Sequence, residues 1–441
     1  MRQAGRYLRK FAIFIHRWLG LAFCLLFAAW FASGIVMMYS DYPNVSSKER
    51  LSKAEALAPG AIHISPQAAY SGLHRSESPD QVVLTMLDGR PVYRFRRRRS
   101  LAVVYADNGE VFRWLPQASA EPIAAAWTAE PANRTKFQGA LMEADQWTLG
   151  AQIGTLRPLL KYAWPDGQEI YISGVTGEVV QHTTRASRIA AYFGAIPHWL
   201  YFAPLRKNGR LWTKVVVWSS GIGTVASLLG LAVGVSMYSP SKRFRYAGKP
   251  TSLPYRGQKR WHLILGLIFG LVTCTWVFSG LLSMEPFEWL SDDDDSPSRV
   301  AGALRGGQLS IAAFEERSPS EALRRVGSEI NAKELEWMVF AGEPYYLARE
   351  SPSVSRIIPI HGDSTKQFDS TRILKLVAQA ALPAALTETR VVTSYEAYYL
   401  DRHQQHPLPA LFVRLDDATG LCSTSIRRRR GWSKRTAGDH A

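Results

Sequence analysis

Residues 260–289 read RWHLILGLIFGLVTCTWVFSGLLSMEPFEW, and residues 263–284 within them are apolar or small and carry no charge. About 20 such residues cross the hydrocarbon core of a bilayer, so the stretch reads as a transmembrane helix with His262 at its leading edge. The pattern occurs once before, 246 positions earlier and without a gap. His16, Gly20, Leu21, Phe23, Leu25, Trp30, Ser33, Gly34 and Met38 recur as His262, Gly266, Leu267, Phe269, Leu271, Trp276, Ser279, Gly280 and Met284. At 100° per residue, His16, Gly20, Phe23, Trp30, Gly34 and Met38 fall on one stripe about 80° wide. A face repeated in this way, histidine first and glycines behind it, predicts a surface built twice to hold something between two helices.

The rest of the composition bounds that reading. The chain has 441 residues and a mean hydropathy of −0.11, so most of it lies outside the membrane. Its formal charge of +16 would suit nucleic acid, but many of the basic residues flank the apolar segments, where topology accounts for them. No nucleic-acid partner is expected. Cys24, Cys274 and Cys422 form no disulfide framework, and the absence of C-x-x-C-H argues against a covalently attached c-type haem.

Taken in order, residues 1–10 form a cytoplasmic N-terminus and 11–40 a first span. The apolar run at 18–39 is too long for a signal peptide, and Arg2, Arg6, Arg9, Lys10 and Arg17 hold its leading end in the cytoplasm. Residues 41–196 alternate like strands, with turns expected at Asn108-Gly109 and Thr176-Gly177. The run Arg96, Arg97, Arg98, Arg99 is read as a solvated strand end or loop rather than a binding patch. Residues 197–214 are interfacial, with Trp199, Tyr201 and Trp212, and 215–238 form a second span in which Gly230 and Gly234 allow close helix approach. The loop 239–260 has seven Lys/Arg and no acid, against Arg206, Lys207, Arg210 and Lys214 on the other side, so it is placed in the cytoplasm. The third span is 261–286.

A second exported region follows at 287–420, repeating the cadence of the first. Its acidic run at 292–295 is read as a solvated linker, and His403 with His406 as part of a loop rather than a metal site. Residues 421–441 show neither a β pattern nor an apolar run. The repeat calls for a fourth span there, and a frameshift or truncation is the simplest account of an aberrant basic tail.

H-R-W-L-G-L opening a span, W-x-x-S-G near its far end and TG-type hairpins between spans resemble the PepSY-associated transmembrane family, over roughly residues 10–420. That resemblance implies a bacterial inner-membrane protein with α-helical spans, here three in a duplicated unit, and extracytoplasmic α+β PepSY-like modules. The family includes iron-regulated inner-membrane proteins and ferrisiderophore reductases, and its reductase branch binds b-type haem through helix histidines. His16, His198 and His262 match family histidine positions.

Weighed without the family, an imidazole at a span's edge can simply sit among headgroups or cap a helix. His16 and His262 make a stronger pair, since both lie at the cytoplasmic ends of helices that run the same way. Facing each other, they would supply both axial ligands of one haem b, with Gly20 and Gly266 leaving room for the macrocycle. Arg17 and Arg260 would neutralise its propionates. His198, with Arg206 and Lys207 nearby, would serve a second haem site at the other face. That site is incomplete, because its symmetry partner belongs before the missing fourth span.

Two functions stand. In one, the chain is a haem-dependent ferric-chelate oxidoreductase that carries electrons from an unknown donor to a ferric siderophore or other ferric chelate outside. In the other, it is a membrane-anchored PepSY protein that binds or regulates a partner, as a protease-inhibitor-like or iron-uptake accessory module, without redox activity. No Rossmann glycine fingerprint is present, so a nicotinamide or flavin would sit on another protein. A homodimer is left open.

Overall fold

The computed structural model describes residues 2–128, 130, 132–286, 296–396, 399–401, 408–416, 423–427 and 431–434. The acidic run 292–295, His403, His406 and Cys422 lie outside the described residues. The chain divides into two units. One comprises Met1–Tyr42 and Ala186–Asp292, the other Pro43–Arg185 and Asp293–His440.

The first unit is built on three helices long and apolar enough to cross a membrane, over Tyr7–Met37, Gly209–Met237 and Gly257–Leu282. Even the shortest, 26 residues, spans about 39 Å at 1.5 Å per residue, more than the roughly 30 Å of hydrocarbon. Leu21, Leu25, Leu271 and Val272 are exposed, as expected of side chains that meet lipid rather than water. The second span helix packs along both others, while the first and third approach each other less closely. Glycine makes that packing possible. A Cβ at Gly223 would come 3.1 Å from Phe27 and 3.2 Å from Val277, and one at Gly234 would come 3.3 Å from Leu267.

The second span begins six residues earlier than hydropathy predicts. Asn208 sets the start, its side chain accepting a hydrogen bond from the Leu211 N–H, so the cap and not the apolar run decides. Ahead of it, Arg185–Phe193, Ala195–His198 and Ala203–Arg206 form short helices, the first of them before the interfacial stretch 197–214. Between the second and third spans, Phe244–Tyr246 and Lys249–Thr251 pair as a hairpin. Its turn residues Ala247 and Gly248 both have positive φ, the conformation that a two-residue hairpin loop requires.

The second unit holds a seven-stranded sheet to which the stretches 41–196 and 287–420 both contribute. Gln81–Leu87, Arg90–Arg97, Ser100–Tyr105 and Val111–Phe112 come from the first stretch, and Glu334–Phe340, Glu343–Arg349 and Ser355–Pro359 from the second. The two meet edge to edge, antiparallel, with Val83 opposite Glu336 and Leu84 opposite Leu335. One core spans the join, with Leu84, Tyr93 and Phe95 buried alongside Leu335, Trp337, Tyr346 and Phe314. Pro66–Ser71 and Pro319–Val326 lie on this core, each with a serine N-cap and a proline at its start. Charge crosses the same join. Arg50 meets Glu334 at 2.6 Å, and Arg349 bonds both Glu334 and Glu336. Burial pushes the Glu334 carboxyl up, but the Arg50 and Arg349 guanidiniums outweigh it and hold the group below its ordinary value.

Each stretch also supplies a four-stranded sheet. One is Lys136–Leu141, Leu159–Ala163, Glu169–Ser173 and Val179–Thr183; the other is Ala385–Val392, Ala410–Asp416, Ser423–Arg427 and Gly431–Lys434. Both expected turns are present, with Gly109 at φ 79 and Gly177 at φ 69. The arginine run ends strand Arg90–Arg97, turns at Arg98 and leaves Arg96, Arg98 and Arg99 exposed, while Arg97 pairs with Glu77. One expectation is corrected. The chain after residue 420 has no alternating β pattern, yet Ser423–Arg427 pairs antiparallel with Ala410–Asp416, and Gly431–Lys434 pairs with it in turn. Ladder bonds join backbones, so a strand can add to a free edge without an alternating side-chain pattern.

Candidate functional site

His16 lies on the first span helix and His262 on the third, and the bundle brings them together. Their ring centres are 6.2 Å apart, with planes inclined by 33°. Gly230 of the second span makes the place for His16: a Cβ there would come 2.4 Å from His16 Cε1. One helical turn earlier on the second span, the Ala226 carbonyl lies 3.0 Å from His16 Nδ1. A carbonyl can only accept, so Nδ1 is the donor, which leaves Nε2 as the nitrogen that could ligate. Metal-bound histidines share this arrangement, one ring nitrogen anchored to a carbonyl and the other free to ligate.

A metal shared by the two rings would need an Nε2 of each turned toward it. With metal–nitrogen bonds of about 2.0 Å and about 1.1 Å from nitrogen to ring centre, opposed imidazoles lie about 6.2 Å apart, centre to centre. Among the described residues no group of three or more His, Cys, Asp or Glu side chains could hold a bare ion. Two histidines could supply at most two ligands, so any iron held here would have to bring the others with it, as haem does. A Cβ at Gly20 or Gly266, each one turn beyond its histidine, would meet nothing within 4 Å, and His262 and Gly266 are both exposed, so the third-span side of the pair is open rather than enclosed.

His198 stands at the other end of the bundle. Its Nδ1 lies 3.1 Å from the Trp30 carbonyl and 3.2 Å from Ser33 Oγ. Ser33 is 17 residues beyond His16 on one helix, about 26 Å at 1.5 Å per residue. Burial, only partly offset by the Trp30 carbonyl, holds the His198 imidazole below its ordinary value and so favours the neutral form. The ring facing it is not an imidazole. Trp276 stacks on His198 with centres 6.0 Å apart and planes at 29°, and Phe31 lies 4.3 Å from the same indole. An indole offers no ligand, so the residues at this end do not fit a bis-histidine group.

The arginines expected at propionates lie against aromatic rings. Arg17 is 5.4 Å from the ring of its neighbour Trp18. Arg206 sits between Tyr201 at 5.1 Å and Trp212 at 4.7 Å. Arg260 is 5.0 Å from Tyr246 and donates to Thr251 Oγ1 at 3.2 Å, which ties it to the hairpin. Sequence reasoning missed the roles of Ala226 and Gly230, which lie on the unrepeated second span. Trp30, Ser33 and Trp276 were visible in the repeated W-x-x-S-G, but not as neighbours of His198. Compared with known protein families, curated proteins and solved structures, the chain matches none.

Proposed function

We propose that this chain is an inner-membrane electron-transfer protein of the PepSY-associated kind, with its N-terminus in the cytoplasm. It holds one haem b between His16 and His262 and serves as a reductase of ferric siderophores or similar chelates outside. The observation that carries this reading is the meeting of two histidines from different span helices, ring centres 6.2 Å apart, with His16 Nδ1 held by the Ala226 carbonyl. Bound there, haem would supply one-electron Fe(III)/Fe(II) chemistry.

The chain's own part is to hold and orient. The Ala226 carbonyl keeps the proton on His16 Nδ1, and Gly230 lets the ring reach that carbonyl. The pair lies at the edge of the apolar spans, where the lowered dielectric would help to set the potential of a bound group. The repeated stripe, together with the similar order of elements in the two exported stretches, supports a duplicated unit. The Lys/Arg asymmetry supports the orientation. His198 stands ready as a ligand but is opposed by Trp276, so a second haem is not part of this reading.

Pyridine haemochrome assay of the purified full chain tests the proposal. One b haem per chain is expected. No haem would leave the chain as a membrane-anchored binding or regulatory protein, and two per chain would overturn the single-site reading.

A further inference from the structure

The loop between the second and third spans carries Lys242, Arg243, Arg245, Lys249, Arg256, Lys259 and Arg260, with no acidic residue in 239–260. Among the described residues none of the seven is ion-paired. The hairpin organises them instead. Tyr246 takes two guanidiniums on one ring, Arg260 at 5.0 Å and Arg256 at 5.8 Å, and Thr251 fixes Arg260 through its hydroxyl at 3.2 Å. Arg243 lies 5.0 Å from Phe244 in the same hairpin. Two like charges gathered on one exposed ring without a carboxylate repel each other, and an anion between them would relieve that cost. Guanidiniums favour phosphate oxygens, which they can meet with paired N–H donors.

From this geometry we infer that Arg256, Arg260 and Tyr246 form a binding site for the phosphate of an anionic phospholipid. The depth argues for a lipid rather than a soluble partner. Arg260 precedes the first residue of the apolar run, Leu263, by three positions, about 4.5 Å along the helix. That places its guanidinium at headgroup level. Phe244, Tyr246 and the exposed Trp261 alternate with the bases, the composition of a membrane interface. Lys249 and Arg245 flank the turn and add to the attraction for an anionic leaflet. The inference needs only the spans and is independent of haem.

Native mass spectrometry of the full chain in neutral detergent tests it, with dioleoyl phosphatidylglycerol, dioleoyl phosphatidylcholine and inorganic phosphate as separate probes. Phosphatidylglycerol should bind about tenfold more tightly than phosphatidylcholine. The preference should vanish in R256Q/R260Q and weaken in R256K/R260K, which keeps charge but loses the planar fork. Circular dichroism of each variant verifies that the helices are retained. Equal binding of both lipids, or a preference that survives R256Q/R260Q, overturns the site. So does saturable binding of inorganic phosphate with no lipid preference. If R256Q/R260Q instead loses only a salt-dependent association with an acidic soluble protein, the face docks protein and the lipid assignment fails.

Discussion

Replacing Gly230 with alanine should weaken haem binding about 10- to 100-fold, the usual cost of disturbing a group that orients a metal-bound histidine. The new Cβ would stand 2.4 Å from His16 Cε1, 3.0 Å from Nδ1 and 3.2 Å from Nε2. Carbon contacts settle at about 3.5–4.0 Å, so the ring must retreat by about 1 Å. Metal–ligand distances tolerate only about ±0.2 Å. The Nδ1 to Ala226 bond, now 3.0 Å, would also stretch past hydrogen-bonding range if the ring moves directly away. The expected loss corresponds to about 1.4–2.8 kcal/mol. Gly221→Ala is the control, because it makes the same change on the same helix where a Cβ would meet nothing within 4 Å. Any gain in helix propensity, about 1 kcal/mol, is then common to both variants. Titration of hemin into the apo-protein, followed at the Soret band, gives the affinities. Unchanged affinity in Gly230→Ala, or an equal loss in Gly221→Ala, would refute the reasoning.

Three further outcomes are expected. Glu334→Gln removes the Arg50 ion pair and one of the two carboxylates on Arg349, which keeps Glu336, and should cost about 1–3 kcal/mol of stability near neutral pH. The wild-type carboxyl lies below its ordinary value of 4.5, so its contribution is full above that value and is lost as pH falls through the lower folded value. The gap between wild type and Glu334→Gln in thermal unfolding should therefore shrink on acidification, and a widening gap would contradict the assignment. Gly306→Ala should lower the unfolding midpoint by the equivalent of at least about 1–3 kcal/mol, because φ is 72 and the Cβ would come 2.3 Å from the Gly342 backbone nitrogen; an unchanged midpoint would count against the described packing. A phosphatase reporter that works only in the periplasm, fused at residue 250, should be inactive, and an active fusion would reverse the topology.

The span faces were legible because helical periodicity maps sequence directly onto a surface. His16 and His262 share a stripe position in two copies, and the bundle brings their ring centres to 6.2 Å. Hairpin turns were legible for a similar reason, since Gly109 and Gly177 take positive φ where the chain must reverse. The join at Val83 and Glu336 was not. Its partners lie more than 250 residues apart, and alternation shows which face of a strand is buried but not which edge it meets. Directions of long side chains were hidden too. Arg17, Arg206 and Arg260 have the reach for a propionate, but Trp18, Trp212 and Tyr246 offer nearer faces for a cation. At His198 the repeat suggested a missing imidazole, and the folded bundle puts Trp276 against that ring. The strands after residue 420 left no side-chain signal to read.

The central claim is that one haem iron sits between His16 and His262, and the reduced-minus-oxidised difference spectrum of membranes carrying single histidine variants tests it most directly. His16→Ala and His262→Ala should each lose most of the b-type signal while the protein remains inserted, and His198→Ala should keep it. A spectrum unchanged in both His16→Ala and His262→Ala, or one lost only in His198→Ala, would contradict the account.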